Sequence, residues 1–301
     1  MRQWAKGLIC LLTAGGVVLH AQRQAQPLRS RTDLVSVFAT VTDCNGALVP
    51  DLQQSDFAVS DDGKRQSIAL FSADVQPVTV VVMLDRSGSL ADESELVRDA
   101  AAEFVTRLLP ADRARIGNFA DEIRLSPDRF TGDRSVLLDV LKSDLQNGGP
   151  SPIWTAVDRS ITALVPESGR RVVLLVSDGR DAPARGQVKT DVKDLMYRAQ
   201  YDEIMVYSIG VPTAEPGETA NKPEPDLKHL ADESGGAYVE LDSTRSVTTI
   251  FTRIADELHR QYWIGFTPSK LDGKVHRLEI KLLRPGLTAR ARRSYIADSR
   301  R

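Results

Sequence analysis

Residues 78–90 read VTVVVMLDRSGSL. Five consecutive apolar residues, Val80 to Leu84, follow Val78 and the β-branched Thr79 and run straight into Asp85, Ser87 and Ser89. An unbroken apolar run of this length predicts a strand covered on both faces, the environment of a parallel sheet in an α/β domain. The rest of the chain must then supply helices for both faces. The polar triplet falls at the carboxyl end of the strand, where ligands of open α/β sheets bind. One carboxylate and two hydroxyls make an all-oxygen donor set suited to a hard divalent cation such as Mg²⁺.

The required alternation runs from residue 77 to about 260. ESELVRDAAAEFVTRLL predicts an amphipathic helix with Leu96, Ala100, Phe104 and Leu108 at helical spacing. RIGNFA reads as a short strand, and RSVLLDVLKSDL and PIWTAVDRSITALV as two helices. RRVVLLVSDG is a second buried strand, DVKDLMYRAQ a helix and EIMVYSIGV a third central strand. PDLKHLADESG predicts a helix ending at a glycine C-cap. AYVEL then reads as an edge strand, and VTTIFTRIADELHRQ as the last long helix. Residues 210–226, rich in Pro, Gly and Glu, predict a surface loop.

Both flanks change to a β pattern. VSVFATVTD, ALVPDL and DFAVSDDGKRQSIALFSAD precede the α/β region, with turns at Asn45-Gly46 and Asp62-Gly63. YWIGFTP, HRLEIKLLR and TARARRSY follow it. Neither flank has enough strands to bury a core alone. The predicted architecture is therefore an α/β doubly wound, mostly parallel sheet with helices on both faces, inserted in a small all-β domain built from both flanks. The expected boundaries are 33–75 for the N-terminal β flank, 76–261 for the α/β domain, 262–296 for the C-terminal β flank and 297–301 for a tail.

The N-terminus has the form of a signal peptide over residues 1–21. Arg2 and Lys6 form a positive n-region, residues 7–19 an apolar h-region short of a membrane span, and Leu19-His20-Ala21 a small-residue cleavage site. Residues 22–32 are polar with three arginines and predict a disordered lead-in. Export to the periplasm or the cell exterior follows, with no membrane span after cleavage. Losing Arg2 and Lys6 takes the formal charge from −2 to −4, so no global basic character points to nucleic acid. Cleavage also removes Cys10 and leaves Cys44 alone in a predicted turn, which excludes an intrachain disulfide.

Two other loops fall where further metal ligands are needed. Gly148-Gly149-Pro150-Ser151-Pro152 ends a loop and opens a helix, and Ser151 offers a hydroxyl. Asp178 follows the strand RVVLLVS and offers a second carboxylate, so that two carboxylates balance a divalent ion. Each residue also has a plainer role open to it. Ser89 fits the N-cap of a helix starting near Ala91, and Ser151 the cap of its own helix with Pro152 at the first helical position. Asp178-Gly179 fits an ordinary turn.

In order along the chain, the three loops resemble the metal-ion-dependent adhesion site of von Willebrand factor type A domains. Asp85, Ser87 and Ser89 match its first loop as Asp-x-Ser-x-Ser. Asp178, within Val176-Ser177-Asp178-Gly179, matches the third. The second departs from the pattern. The family usually has Thr after the glycine pair, whereas here Pro150 intervenes before Ser151, which keeps the hydroxyl but lacks the β-methyl that restricts rotamers. Thr155, one helical turn on, is a second candidate for that position. The flanks, VTDCNGALVPDLQQSDFAVSDDGKRQSI and YWIGFTPSKLDGKVHRLEIKLLRPGLTARARRSY, are similar to those of exported bacterial von Willebrand factor A-related proteins common in acidobacteria-type genomes. The resemblance covers residues 33–296.

It implies Mg²⁺ (or Mn²⁺) held directly by Asp85, Ser87, Ser89 and Ser151, with Asp178 bound directly or through water. It also implies an open metal position that accepts an acidic side chain from a partner protein, in an exported adhesion or protein-interaction protein. The alternative is a structural or assembly module of the cell envelope using the same fold without metal-dependent binding. A metal-assisted hydrolase is a third reading. Against it, the four histidines show no metal-ligand spacing, and the chain carries no Gly-x-Ser-x-Gly elbow and no phosphate loop. The chain is accordingly expected not to be an enzyme, with no catalytic residues.

Overall fold

The apolar run becomes β5 (Val78–Asp85), in which every residue is buried. The computed structural model describes residues 34–298 except 144, 147, 184–185, 187–189, 213–222 and 242–246. The signal peptide 1–21, the lead-in 22–32, most of the loop 210–226 and residues 299–301 of the tail lie outside the described residues.

Parallel to β5 run β6 (Arg113–Phe119) on one side and β8 (Arg170–Ser177) on the other, followed outward from β8 by β9 (Ile204–Gly210) and β10 (Tyr238–Glu240). The sheet is closed on the far side by β7 (Ile123–Thr131), antiparallel to β6, giving the order β10-β9-β8-β5-β6-β7. Helices α1 (Ser94–Thr106), α2 (Arg134–Ser143) and α6 (Val247–Leu258) share one apolar core with the sheet. Helices α3 (Ile153–Leu164), α4 (Val192–Tyr201) and α5 (Pro225–Ser234) share the other. The central strands are apolar throughout because both of their faces are inside. Strand β7 is absent from the sequence reading. It lies at the sheet edge, contains Pro127 and has no fully buried residue, so it leaves no apolar signature. On α1 the buried face is Val97, Ala100, Ala101, Phe104 and Val105, with Leu96 only partly covered.

The flanks form two antiparallel sheets that face each other. One is ordered β13-β1-β11-β4, from Thr288–Arg290, Val35–Thr42, Tyr262–Phe266 and Ile68–Ser72. The other is ordered β14-β12-β2-β3, from Ser294–Ile296, Val275–Leu282, Phe57–Asp61 and Lys64–Gln66. Each sheet joins strands from both ends of the chain: Val37 is opposite Ile264 and Val59 is opposite Ile280. Inward residues of both sheets, among them Val37, Phe57, Tyr262, Ile264 and Tyr295, make one core. The Asp62-Gly63 turn has φ of 47° and 76°, as a two-residue type I′ hairpin requires. Two expected strands differ. ALVPDL contributes only an isolated bridge at Leu48. TARARRSY splits into β13 and β14, which belong to different sheets, so the chain turns the corner of the sandwich there.

A polar network ties α6 to the sandwich. Glu257 Oε1 accepts from Thr40 Oγ1 (2.9 Å), from the Tyr207 hydroxyl (2.6 Å) and from Arg290. Gln261 Nε2 donates to both Thr40 Oγ1 (2.8 Å) and the Tyr207 oxygen (2.9 Å).

In the second sheet, His276 bridges two carboxylates, with Nδ1 2.9 Å from Asp61 Oδ1 and Nε2 3.1 Å from Asp272 Oδ1. Asp61, Asp62 and His276 place ligand atoms within 4.8 Å of one another. Both ring nitrogens, however, already face carboxylate oxygens, and both can donate to them only as an imidazolium. Burial opposes that charge, but the hydrogen bonds to Asp61 and Asp272 outweigh it and raise the pKa of His276 above its ordinary 6.5. A raised histidine pKa contributes stability that is complete below the unfolded value and is lost as pH rises through the folded one. His276→Gln should therefore cost about 1–2 kcal/mol at pH 5.5 and less at pH 8.5. Urea unfolding of both proteins at the two pH values checks this, and an equal loss at both would show that folding does not raise the pKa of His276.

Candidate metal centre

The first loop leaves the end of β5 at Asp85, which is 2 % exposed. Asp85 Oδ1 accepts from the backbone N–H of Ser87 at 2.9 Å. Its Oδ2 accepts from Ser151 Oγ at 3.1 Å and from Ser177 Oγ at 2.6 Å. Ser87 Oγ lies 3.1 Å from Ser89 Oγ, and Ser89 is exposed at the outer end of the chain of hydroxyls. Asp85, Ser87, Ser89 and Ser151 thus form one connected set. Asp178 is buried directly after β8, and its charge acts on Asp85.

The loops are clamped to one another by backbone bonds. Gly148 N–H donates to Arg86 C=O at 2.9 Å, and Ser151 and Ala182 exchange bonds of 2.9 and 2.8 Å, which joins the second loop to the third. Arg86, buried beside Asp85, donates from Nε to Gln146 C=O (2.8 Å) and from Nη1 to Ser94 C=O (2.9 Å). Gly149 has φ +118°, and a Cβ there would sit 2.8 Å from Asp121 Oδ1, so only glycine lets this loop pass.

The capping roles do not describe these serines. Helix α1 begins at Ser94 with Glu93 at its N-cap, three residues past the expected start. Helix α3 has Pro152 itself at the N-cap with no side-chain cap bond, and Ser151 turns its hydroxyl to Asp85 instead. Thr155 is engaged elsewhere, its Oγ1 3.1 Å from Thr190 Oγ1. Asp178 does make a local turn, with Oδ1 accepting from Arg180 N–H at 3.0 Å. Its buried Oδ2 makes no hydrogen bond among the described residues and is ion-paired with Arg180 Nε at 3.4 Å.

Ser177 was not singled out from sequence. Its hydroxyl makes the shortest bond to Asp85 and also accepts from Gly179 N–H at 3.0 Å. The signal available was its place as the last residue of a buried strand in register beside β5, where Leu84 faces Val176.

Burial raises the pKa of Asp85, the neighbouring charge of Asp178 adds to this, and hydrogen bonds from Ser177 and Ser87 pull the other way. A buried carboxylate whose ionised form is disfavoured by burial and by the charge of a second one, ringed by hydroxyls, fits a divalent cation. The donor set is oxygen throughout, which favours a hard ion.

The family model of the von Willebrand factor type A domain matches residues 79–253. The chain belongs to this family. Among solved structures, a von Willebrand factor type A protein from Catenulispora acidiphila aligns at TM-score 0.52 and 12 % identity, covering 83 % of this chain and 78 % of that one. Proximal thread matrix protein 1 from the mussel byssus, solved with a zinc-occupied MIDAS motif, aligns at TM-score 0.53 and 14 % identity, covering 67 % of this chain and 50 % of that one. At these identities the likeness is one of fold. No curated protein matches the chain in sequence. The type A fold supports a protein-interaction or adhesion module, and domains of this family often bind a divalent metal at their adhesion site. No helix among the described residues is long and apolar enough to cross a membrane.

Proposed function

We propose that this type A domain protein is an exported adhesion or interaction protein that binds an acidic side chain of a partner protein through Mg²⁺ or Mn²⁺. The observation that carries the reading is the convergence of hydroxyls from all three loops on the buried carboxylate of Asp85. Asp85, Ser87, Ser89 and Ser151 would hold the ion, with Asp178 bound directly or through water. When bound, the ion supplies a Lewis-acidic position for a carboxylate. The protein supplies the rest. Asp85 and Asp178 provide the charge, the clamped loops hold the hydroxyls, and exposed Ser89 marks the side from which a partner arrives.

The role is one of binding rather than catalysis. Among the described residues the site has no histidine to move a proton: His259 bonds Asp112 (2.7 Å) near the opposite end of the sheet, His276 belongs to the sandwich, and His229 is exposed on α5. Export rests on the n-region, h-region and cleavage site of residues 1–21.

Calorimetry of the purified protein with Mg²⁺ and Mn²⁺, followed by an array of acidic peptides, tests this. Bound peptides should be released by EDTA and should bind at least tenfold more weakly when their Asp or Glu is changed to Asn or Gln. Peptide binding that ignores both EDTA and the amide changes would leave the envelope-assembly reading in its place.

A further inference from the structure

At the opposite end of the sheet from Asp85 lies a cavity of about 390 Å³ between the α/β sheet and the β sandwich. It is lined by the starts of β5, β6 and β8 (Thr79, Arg113, Arg170) and by Phe38 and Trp263 of the sandwich. Six residues of rise separate Thr79 from Asp85, so the two sites are about 20 Å apart.

The lining holds four arginines against two glutamates, and the charges are not all matched. Arg113 pairs with Glu167 at 2.5 Å, and Arg292 pairs with Glu203 at 2.9 Å through Nη2. Arg170 is different. It is 3 % exposed, its guanidinium lies 5.0 Å from the Phe38 ring centre, and Nη1 donates to the Leu258 carbonyl. Among the described residues its Nε and Nη2 have no hydrogen-bond partner, nor do Nε and Nη1 of Arg292. The acids that influence Arg170 are committed elsewhere: Asp112 to His259 and to the N–H groups of Val78 and Leu109, and Glu257 to Arg290, Thr40 and Tyr207. Burial lowers the pKa of Arg170 to about 10, which still leaves it charged at neutral pH.

A buried guanidinium with no ion-pair partner among the described residues, lining the same cavity as a second one with spare donors, is a receptor for a planar or tetrahedral anion. The volume decides between an inorganic ion and an organic one. The cavity falls in the range of small-molecule sites and has Phe38, Trp263, Met205 and Ala199 for walls, far more apolar room than an inorganic anion occupies. We infer that this cavity binds a small organic anion, its carboxylate or phosphate held by Arg170 and Arg292 and its apolar body against Phe38 and Trp263.

The probes are benzoate, phenyl phosphate, neutral benzamide and inorganic phosphate, all in EDTA so that binding at the metal centre is excluded. Calorimetry gives the affinities. The indole N–H signals of Trp263 and Trp154 in proton–nitrogen NMR spectra locate the site, because Trp263 lines the cavity whereas Trp154 opens α3. Benzoate or phenyl phosphate should bind saturably, at least tenfold more tightly than benzamide and inorganic phosphate, and should move the Trp263 signal alone. Arg170→Lys should weaken that binding at least tenfold. Arg292→Lys should also weaken it, and it serves alone if the first variant does not fold. Four results would overturn the inference: no saturable binding of either organic anion, equal binding of benzoate and benzamide, inorganic phosphate binding as tightly as the organic anions, or a shift of the Trp154 signal in place of Trp263.

Discussion

Asp85→Asn is expected to abolish the stabilisation of this protein by Mg²⁺ while leaving the fold intact. At Mg²⁺ a hundredfold above its dissociation constant, a single site stabilises the wild type by about 2.7 kcal/mol, and the variant should show none of it. With its oxygen in the Oδ2 position the asparagine still accepts from Ser151 and Ser177, while its NH2 group replaces the oxygen that accepted from the Ser87 N–H, so one of the three bonds is lost. It also loses the charge. Because burial and Asp178 already disfavour ionised Asp85, removing that charge should offset the lost Ser87 bond, and the metal-free variant should stay folded. Asp85→Ala should also lose the metal, but at a cost in stability, since three buried donors then lack an acceptor. Thermal melts of the three proteins in EDTA and in Mg²⁺ distinguish these outcomes. A Mg²⁺-induced shift in Asp85→Asn equal to that of the wild type would remove Asp85 from the site.

Deleting residues 22–75 should strip the C-terminal strands of their protection from hydrogen exchange. β1 lies between β11 and β13, and β2 pairs along the length of β12, so the deletion removes hydrogen-bonding neighbours from three of the four C-terminal strands. It also removes their core partners. The Tyr262 ring lies 5.0 Å from that of Phe57, and its hydroxyl donates to Val49 C=O at 2.7 Å. Exchange in β11 and β12 should accelerate at least about a hundredfold, equivalent to about 2.7 kcal/mol. Strands β5 and β8 should keep their protection, because the helices on their two faces supply cores that lose only the partly buried Phe38 to the deletion. Native protection of β11 and β12 in the deleted protein would show that the C-terminal flank folds without the N-terminal one.

Burial on both faces is a local property of composition, so residues 78–85 and 170–177 were legible as central strands without any partner in view. The same holds for the helices, whose apolar spacing reports the face they bury, and for the position of Asp85, Ser87 and Ser89 at a strand end. The marginal size of each β flank likewise required the two to combine. Other features were settled only by tertiary contact. Strand β7 exists because β6 offers it an edge, and an edge strand with no buried residue carries no pattern to read. TARARRSY divides between two sheets because the sandwich has a corner there, which is a matter of its neighbours and not of its own alternation. Ser177 joins the Asp85 cluster through the register of β8 beside β5, a contact across 92 positions of chain. The choice of Ser151 over helix capping was open in the sequence because a hydroxyl serves either role. It was closed by the distance to Asp85 and by the start of α3 at Ile153. Arg170 shows the limit most clearly. At the head of a buried strand it reads as an ordinary flanking charge, and only the packing of the sandwich over that end encloses it beside Phe38, with no acidic partner among the described residues.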